Sequence, residues 1–222
     1  DMEGHVILFE HANFRGAHKH VFRAEANLNA GDDNFFNDRV SSIAILKGNW
    51  EFFRHSNFND RYPVVLGPGL HRFVGDIQIA NDDMSSLRPT DAPATVQGRP
   101  ITGHVVLFEH AHFHGAHKHV FQQEENLNAA DDNFFNDRVS SLAVLQGHWH
   151  FYKHAGFGQT YKTPGTNPPE DLLLGPALYP WVEDAGISND DMSSLRPDRD
   201  EHHEIIGAPI EGHVMLFEHA HF

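Results

Sequence analysis

A six-residue polar phrase, Asn-Asp-x-x-Ser-Ser, is written four times in this 222-residue chain: NDRVSS at 37–42 and 136–141, NDDMSS at 81–86 and 189–194. Amide, carboxylate and hydroxyl oxygens gathered in this way suit a hard cation, since Ca2+ takes about six to eight oxygen ligands at about 2.3 to 2.6 Å. One copy alone is also good turn chemistry, because Asn, Asp and Ser bond the local backbone and Asn and Asp tolerate left-handed conformations. Four copies, each followed by an apolar run, exceed what a turn requires. A single hexapeptide still holds too few oxygens for an ion, so a site needs a second loop beside it. The EF-hand alternative fails, because no stretch reads D-x-[DN]-x-[DN]-G with a glutamate six residues further on.

The 20 histidines are the second set of chemical interest. His18 and His20, His117 and His119, His148 and His150, and His219 and His221 are spaced i, i+2, which on a strand turns both imidazoles to one face. Such a pair can ligate Zn2+, Ni2+ or Cu2+. The plainer reading is a solvated strand face on which His is a polar residue compatible with β structure. A transition-metal site also needs a third ligand, which spacing does not place. HAHFHGAHKH at 110–119 is the richest stretch.

Repeated elements must position these residues. GHVILFEHANFRGAHKHVF from Gly4 returns as GHVVLFEHAHFHGAHKHVF from Gly103, and the match runs on through both NDRVSS phrases. Weaker copies, NWEFFRHSNF from Asn49 and HWHFYKHAGF from His148, keep the aromatic spacing and each lead to their own NDDMSSLRP. The predicted organisation is a first unit at 1–89 made of half-repeats 4–47 and 48–89, a linker at 90–102, and a second unit at 103–197 made of half-repeats 103–146 and 147–197. The linker reading rests on PTDAPATVQGRP, rich in Pro, Gly and small polar residues. A second linker at 198–211 leads to GHVMLFEHAHF at 212–222, the first hairpin of a truncated third unit. A lone hairpin cannot bury its face, so the chain is expected to be a piece of a longer array.

The periodicity within each unit is that of strands. Val6 and Leu8 fall on one face with His5 and Ile7 on the other, Trp50 and Phe52 fall together, and VSSIAIL from Val40 continues the apolar run. No segment keeps a 3.6-residue period beyond two turns. Short strands punctuated by Gly, Asn and Asp predict an all-β sandwich or barrel. The second unit carries an insertion, KTPGTNPPEDLLLG, expected as a surface loop.

Composition narrows the partners. A formal charge of −15 with neutral histidine argues against nucleic acid, which needs clustered Lys and Arg. Protonating all the histidines below pH about 5.5 would offset that balance. The absence of cysteine excludes disulfides and thiolate chemistry. No apolar run approaches the ~20 residues of a membrane helix. The expectation is a soluble chain without a membrane span, secreted or extracellular.

LFEHANFRG, Leu8 to Gly16, resembles the folded first hairpin of the βγ-crystallin motif: an aromatic, an acid, then Phe-x-Gly. With NDRVSS downstream, each half-repeat is similar to one Greek-key motif of the microbial calcium-binding βγ-crystallins. The resemblance covers both units and the third start. It implies an all-β chain of two tandem Greek-key β-sandwich domains plus the start of a third. It also implies about four Ca2+ ions per chain in double clamps, where each loop serves both sites of its domain. Carried over, Asn37, Asp38, the Arg39 carbonyl and Ser41 work with Asn81, Asp82, the Asp83 carbonyl and Ser85, and the backbone carbonyls of Glu10 and Arg54 complete the shells. In the second unit the set is Asn136, Asp137, Arg138 and Ser140 with Asn189, Asp190, Asp191 and Ser193, completed by the carbonyls of Glu109 and Lys153. The second serine of each phrase (Ser42, Ser86, Ser141, Ser194) is assigned to folding over the hairpin. The resemblance is weakest in the even hairpins, where Asp60 replaces the glycine seen at Gly16 and Gly115, and where Gly156 and Gly158 sit one place early.

Two functional readings follow. The first is a non-enzymatic calcium-binding structural module. The second is a calcium-dependent extracellular adhesion or carbohydrate-binding array, in which tandem domains or self-association raise weak glycan contacts by avidity. An enzyme is not expected: the sequence has no G-x-S-x-G elbow, H-E-x-x-H helix, phosphate loop or dinucleotide fingerprint. Its His and Asp residues recur with the repeat rather than converging on one place.

Overall fold

Alternating apolar residues make strands wherever one face can be buried, and the computed structural model, which describes residues 3–29, 36–129, 135–198, 214 and 216, is built on that alternation. Two units divide at the Ile101–Thr102 boundary. The first holds β1 (His5–His11), β2 (Arg15–Val21), β3 (Ser42–Lys47), β4 (Asn49–His55), β5 (Asn59–Leu66), β6 (Gly69–His71) and β7 (Ser86–Thr90). They form two antiparallel sheets ordered β2-β1-β3-β6 and β5-β4-β7. The half-repeats exchange strands. β6, from the second half-repeat, completes the first sheet, while Glu25 of the first half-repeat pairs with Leu87 of β7 through reciprocal amide bonds of 2.8 and 3.0 Å. The first sheet thus needs both half-repeats, and the second is extended by the Glu25 bridge.

The second unit repeats the plan with β8 (His104–His110), β9 (His114–Val120), β10 (Ser141–Gln146), β11 (Trp149–His154), β12 (Gly158–Thr160), β13 (Leu173–Leu174), β14 (Ala177–Tyr179) and β15 (Ser194–Pro197). One sheet is ordered β14-β10-β8-β9; in the other, β11 is flanked by β15 and by β12 and β13. β12 and β13 pair with successive parts of β11, as β5 alone does with β4. The insertion therefore splits one edge strand in two and leaves as a largely exposed loop, pinned at its base by Lys162 and Asp171.

The core lies between the sheets of each unit. Val6, Leu8, Ile43, Ile45, Trp50, Phe52, Leu66 and Leu87 are fully buried in the first, and Val105, Leu107, Leu142, Val144, Trp149, Phe151, Leu174 and Leu195 in the second. Each core tryptophan keeps its N–H satisfied, Trp50 by the Lys47 carbonyl and Trp149 by the Gln146 carbonyl, both at 3.0 Å. Among the described residues the only helical pieces are short 3-10 turns, and no helix is long and apolar enough to cross a membrane.

The expected linker at 90–102 is not a free connection. Its residues 94 to 99 lie along the first unit: Thr95 N–H donates to the Val65 carbonyl at 2.8 Å, Gly67 N–H to Val96 at 2.9 Å, and Leu70 and Arg99 exchange amide bonds of 2.8 and 3.0 Å. Gly98 makes the approach feasible, since a Cβ there would stand 2.4 Å from the Gly69 carbonyl carbon. The third hairpin start at 212–222 lies outside the described residues, save for Val214 and Leu216, which are exposed and outside any strand.

His71 is buried on β6 and donates from Nε2 to the Gly67 carbonyl at 3.0 Å. Burial lowers its pKa below the ordinary 6.5, against the smaller opposing effect of that hydrogen bond. Below the unfolded-state value the unfolded chain takes up a proton that the folded one resists, so stability is full above about 6.5 and declines as pH falls through it. The urea midpoint of the first unit is expected to fall on acidification, and less steeply in His71→Asn; an identical slope in the variant would remove His71 as a source.

Candidate metal centre

Each Asn-Asp-x-x-Ser-Ser phrase enters a strand immediately after a folded hairpin of its own half-repeat has been set, and its second serine makes that link. Ser42 Oγ donates to the His11 carbonyl at 2.6 Å and accepts from Phe14 N–H at 3.0 Å. The other three copies match: Ser86 with His55 and Phe58, Ser141 with His110 and Phe113, Ser194 with His154 and Phe157. The hairpins need this clasp because two consecutive residues are left-handed in each: Asn13 and Phe14, Asn57 and Phe58, His112 and Phe113, Gly156 and Phe157. A left-handed phenylalanine is strained by about 1 to 3 kcal/mol. The even hairpins adopt the odd geometry despite their different residues: Asp60 at φ 55° and Gln159 at φ 54° stand where Gly16 and Gly115 have 77° and 80°.

The two loops of a unit lie against each other. Asp38 N–H donates to the Met84 carbonyl at 3.1 Å and Asp82 N–H to the Val40 carbonyl at 3.4 Å; Asp137 with Met192 (3.1 Å) and Asp190 with Val139 (3.3 Å) repeat this. All four aspartates, Asp38, Asp82, Asp137 and Asp190, are left-handed at φ 50 to 53°. The preceding amide braces each carboxylate: Asn37 Nδ2 lies 2.5 Å from Asp38 Oδ2, Asn81 2.7 Å from Asp82, Asn189 2.9 Å from Asp190, and Asn136 bonds Asp137. The asparagines therefore orient the acids through nitrogen.

The first serine of each odd phrase reaches across to the even loop. Ser140 Oγ is 2.9 Å from the Glu109 carbonyl and 3.2 Å from Asp190 Oδ1, and Ser41 Oγ is 3.3 Å from Asp82 Oδ1. In the second domain a hairpin carbonyl, a hydroxyl and a carboxylate from the opposite loop thus converge, and in the first the hydroxyl and the carboxylate do. The complementary set is backbone-positioned, Ser85 N–H on the Phe53 carbonyl and Ser193 N–H on the Tyr152 carbonyl, each at 3.0 Å. Among the described residues, no direct side-chain bond joins Ser85 to Asp38 or Ser193 to Asp137.

The side chains of Glu10, Arg39, Arg54 and Asp83 are engaged elsewhere. Glu10 pairs with Arg39, and Glu109 with Arg138, binding hairpin to loop. The even half-repeats reverse the sign: Arg54 Nε lies 2.7 Å from Asp83 Oδ2, and Lys153 Nζ 2.9 Å from Asp191 Oδ2. These four pairs occupy the charged side chains of their members. Burial raises the carboxyl pKa of Glu10, but the Arg39 hydrogen bond and the Ala17 N–H hold it below the ordinary value. For Glu109 the Arg138 hydrogen bond is the main lowering cause. Asp38 is shifted the other way, by burial and then by the neighbouring Asp83 charge; Asp137 likewise, by burial and then Asp191. The Asn37 bond and the His55 charge oppose the rise at Asp38, and the Asn136 bond and the Lys153 charge oppose it at Asp137, without reversing it.

Two tyrosines were missed in the sequence. Tyr62 Oη is 2.8 Å from Asp83 Oδ2 and 3.2 Å from its carbonyl oxygen, and Tyr161 Oη is 2.8 Å from the Asp191 carbonyl. Burial and the Asp83 bond raise the Tyr62 pKa. Each lies four residues after its hairpin phenylalanine, and the odd half-repeats have His18 and His117 at that place.

The sequence profile of the Beta/Gamma crystallin family matches residues 5–90 and 104–197, and the chain belongs to that family as two tandem domains. It is similar to beta-crystallin B1 of Rattus norvegicus, 29% identical over 197 residues, spanning 88% of this chain and 70% of that protein. A beta/gamma-crystallin of Ciona intestinalis is 32% identical over 95 residues, spanning 42% of this chain and 96% of that one. The crystal structure of a βγ-crystallin from an archaeon is 31% identical, covers 44% of this chain and 99% of its own, and has a TM-score of 0.35.

Replacing Ser42 by Ala would leave the His11 carbonyl and the Phe14 N–H without their common partner. The expected loss is about 1 to 3 kcal/mol, read as a lower urea midpoint for the first domain together with faster hydrogen exchange at residues 12 to 16. Unchanged exchange there would show that the hairpin holds itself.

Proposed function

We propose that each domain is a non-enzymatic calcium-binding structural module of the microbial kind, with two cations held between its paired loops. The observation that carries this reading is the convergence of the Glu109 carbonyl, Ser140 Oγ and Asp190 Oδ1, repeated by Ser41 and Asp82 in the first domain. A hydroxyl has one hydrogen and serves one acceptor at a time. Three oxygens, the hydroxyl among them, are a better fit to a hard cation than to one proton.

The donor set is consistent with that ion. It is all oxygen, it combines carboxylate, carbonyl and hydroxyl groups, and it contains no imidazole. In the fourth phrase Asn189 Oδ1 is buried and has no hydrogen-bond partner among the described residues, an oxygen that a cation or its water would satisfy. Asp82, Ser41 and the Glu10 and Asp83 carbonyls would hold one ion of the first domain, and Asp38, Ser85 and the Arg54 and Arg39 carbonyls the other. Asp190, Ser140 and the carbonyls of Glu109 and Asp191 correspond in the second domain to the first set, and Asp137, Ser193 and the carbonyls of Lys153 and Arg138 to the second. Bound Ca2+ supplies positive charge between acids that otherwise repel. Because the ion binds only the folded loops, it stabilises each domain by about 2.7 kcal/mol per site at a hundredfold excess over Kd.

The left-handed aspartates allow turn and ligand roles to be separated. Asn tolerates the same conformation, so Asp82→Asn keeps the turn and removes the charge. In a calorimetric titration the native chain is expected to take up about four Ca2+. The variant is expected to match the native metal-free melting curve while its first domain binds about tenfold or more weakly. No heat with the native chain, or native affinity in the variant, would sink the proposal.

A further inference from the structure

The histidine ladders on two edge strands are not used by the acidic loops. On β2, His18 and His20 stand with ring centroids 5.4 Å apart at 83°, and a nitrogen of each lies within 4.8 Å of the other. On β9, His117 and His119 repeat this at 5.4 Å and 79°, again within 4.8 Å. A third imidazole from the neighbouring strand contacts the second of each pair. His5 Nε2 is 2.9 Å from His20 Nδ1, and His104 Nε2 is 2.9 Å from His119 Nδ1. Phenylalanines bracket each ladder: Phe9 lies 6.0 Å from His18 and Phe22 4.4 Å from His5, while Phe108 and Phe121 lie 5.9 and 4.3 Å from His117 and His104.

We propose that each His-x-His pair, braced by its third imidazole, binds a borderline divalent transition-metal ion such as Zn2+, Ni2+ or Cu2+. Imidazole suits these ions, whereas Ca2+ takes oxygen ligands. A histidine that ligates a metal through one ring nitrogen commonly donates from the other, which sets its tautomer and aims the ring. With His20 Nδ1–H donating to His5 Nε2, the metal is bound through His20 Nε2, and His119 and His104 act in the same way. His5 and His104 are thus positioning residues, and the third protein contact that spacing did not reveal lies outside the coordination shell. Packing against phenylalanine restricts the rings before metal arrives, which lowers the conformational entropy lost on binding.

The site is independent of the calcium reading, and the test keeps the two apart. The full chain is titrated with ZnSO4 in saturating Ca2+, beside the double variant His18→Asn/His117→Asn and the single variant Asp82→Asn. Asn keeps a polar, uncharged side chain at both positions, of which His18 is half-buried and His117 exposed. Native and Asp82→Asn chains are expected to take up Zn2+ alike, and the double variant to bind it at least tenfold more weakly while keeping the native metal-free melting curve. No uptake by the native chain overturns the proposal. So does an unchanged isotherm in the double variant, which assigns the ion to other histidines such as His202, His203, His219 or His221. As a readout that needs no variant, Cu2+ is expected to broaden the amide signals of β2 and β9 in the native chain; broadening confined to other residues overturns it as well.

Discussion

One serine hydroxyl per half-repeat bridges the two ends of a strained hairpin. It accepts from the amide at the end of the folded hairpin and donates to the carbonyl at its start. Those two bonds offset the strain of two left-handed residues in a row, in the hairpins that carry Asp60 and Gln159 as well as in those that carry Gly16 and Gly115. Because the serine is also the first residue of a strand, the hairpin, the loop and the sheet share one fixed point. In the odd half-repeats the preceding serine reaches the opposite loop, which is how a turn residue becomes a candidate ligand.

Above that clasp the interactions separate into two levels. Within a half-repeat, an ion pair binds hairpin to loop, with acid on the hairpin in the odd copies and base on the hairpin in the even ones. Between half-repeats, the amides of Asp38 and Asp82 cross to the partner loop, and β6 and Glu25 cross to the partner sheet. Surface pairs of this kind contribute little to stability singly. Their consequence is geometric, since they occupy the charged side chains and tie each hairpin to its own loop.

Most of the architecture was legible because it is periodic. The alternation in HVILFE, the recurrence from Gly4 to Gly103 and the doubled serine each report a local rule, and the structure follows them. The asparagines read differently: their expected oxygen ligation is overlaid by a nitrogen bond to the next carboxylate, which spacing cannot show. Tyr62 and Tyr161 escaped because they act on loops more than 20 residues away in sequence. Docking of residues 94 to 99 escaped for a related reason: Pro, Gly and small residues permit a free tether and a closely laid one equally, and only the partner backbone decides.

That laid segment has an effect beyond the first domain's own stability. A sheet edge offers a row of amides and carbonyls to any other extended chain, and open edges are where folded β proteins aggregate. β5 and β6 are edge strands of different sheets, and residues 94 to 99 bond to both. In the second domain the position of β5 is held by two short strands with an exposed loop between them. A chain of repeated β domains lives at a high local concentration of its own sheets, and each covered or broken edge removes one place where they could zip together.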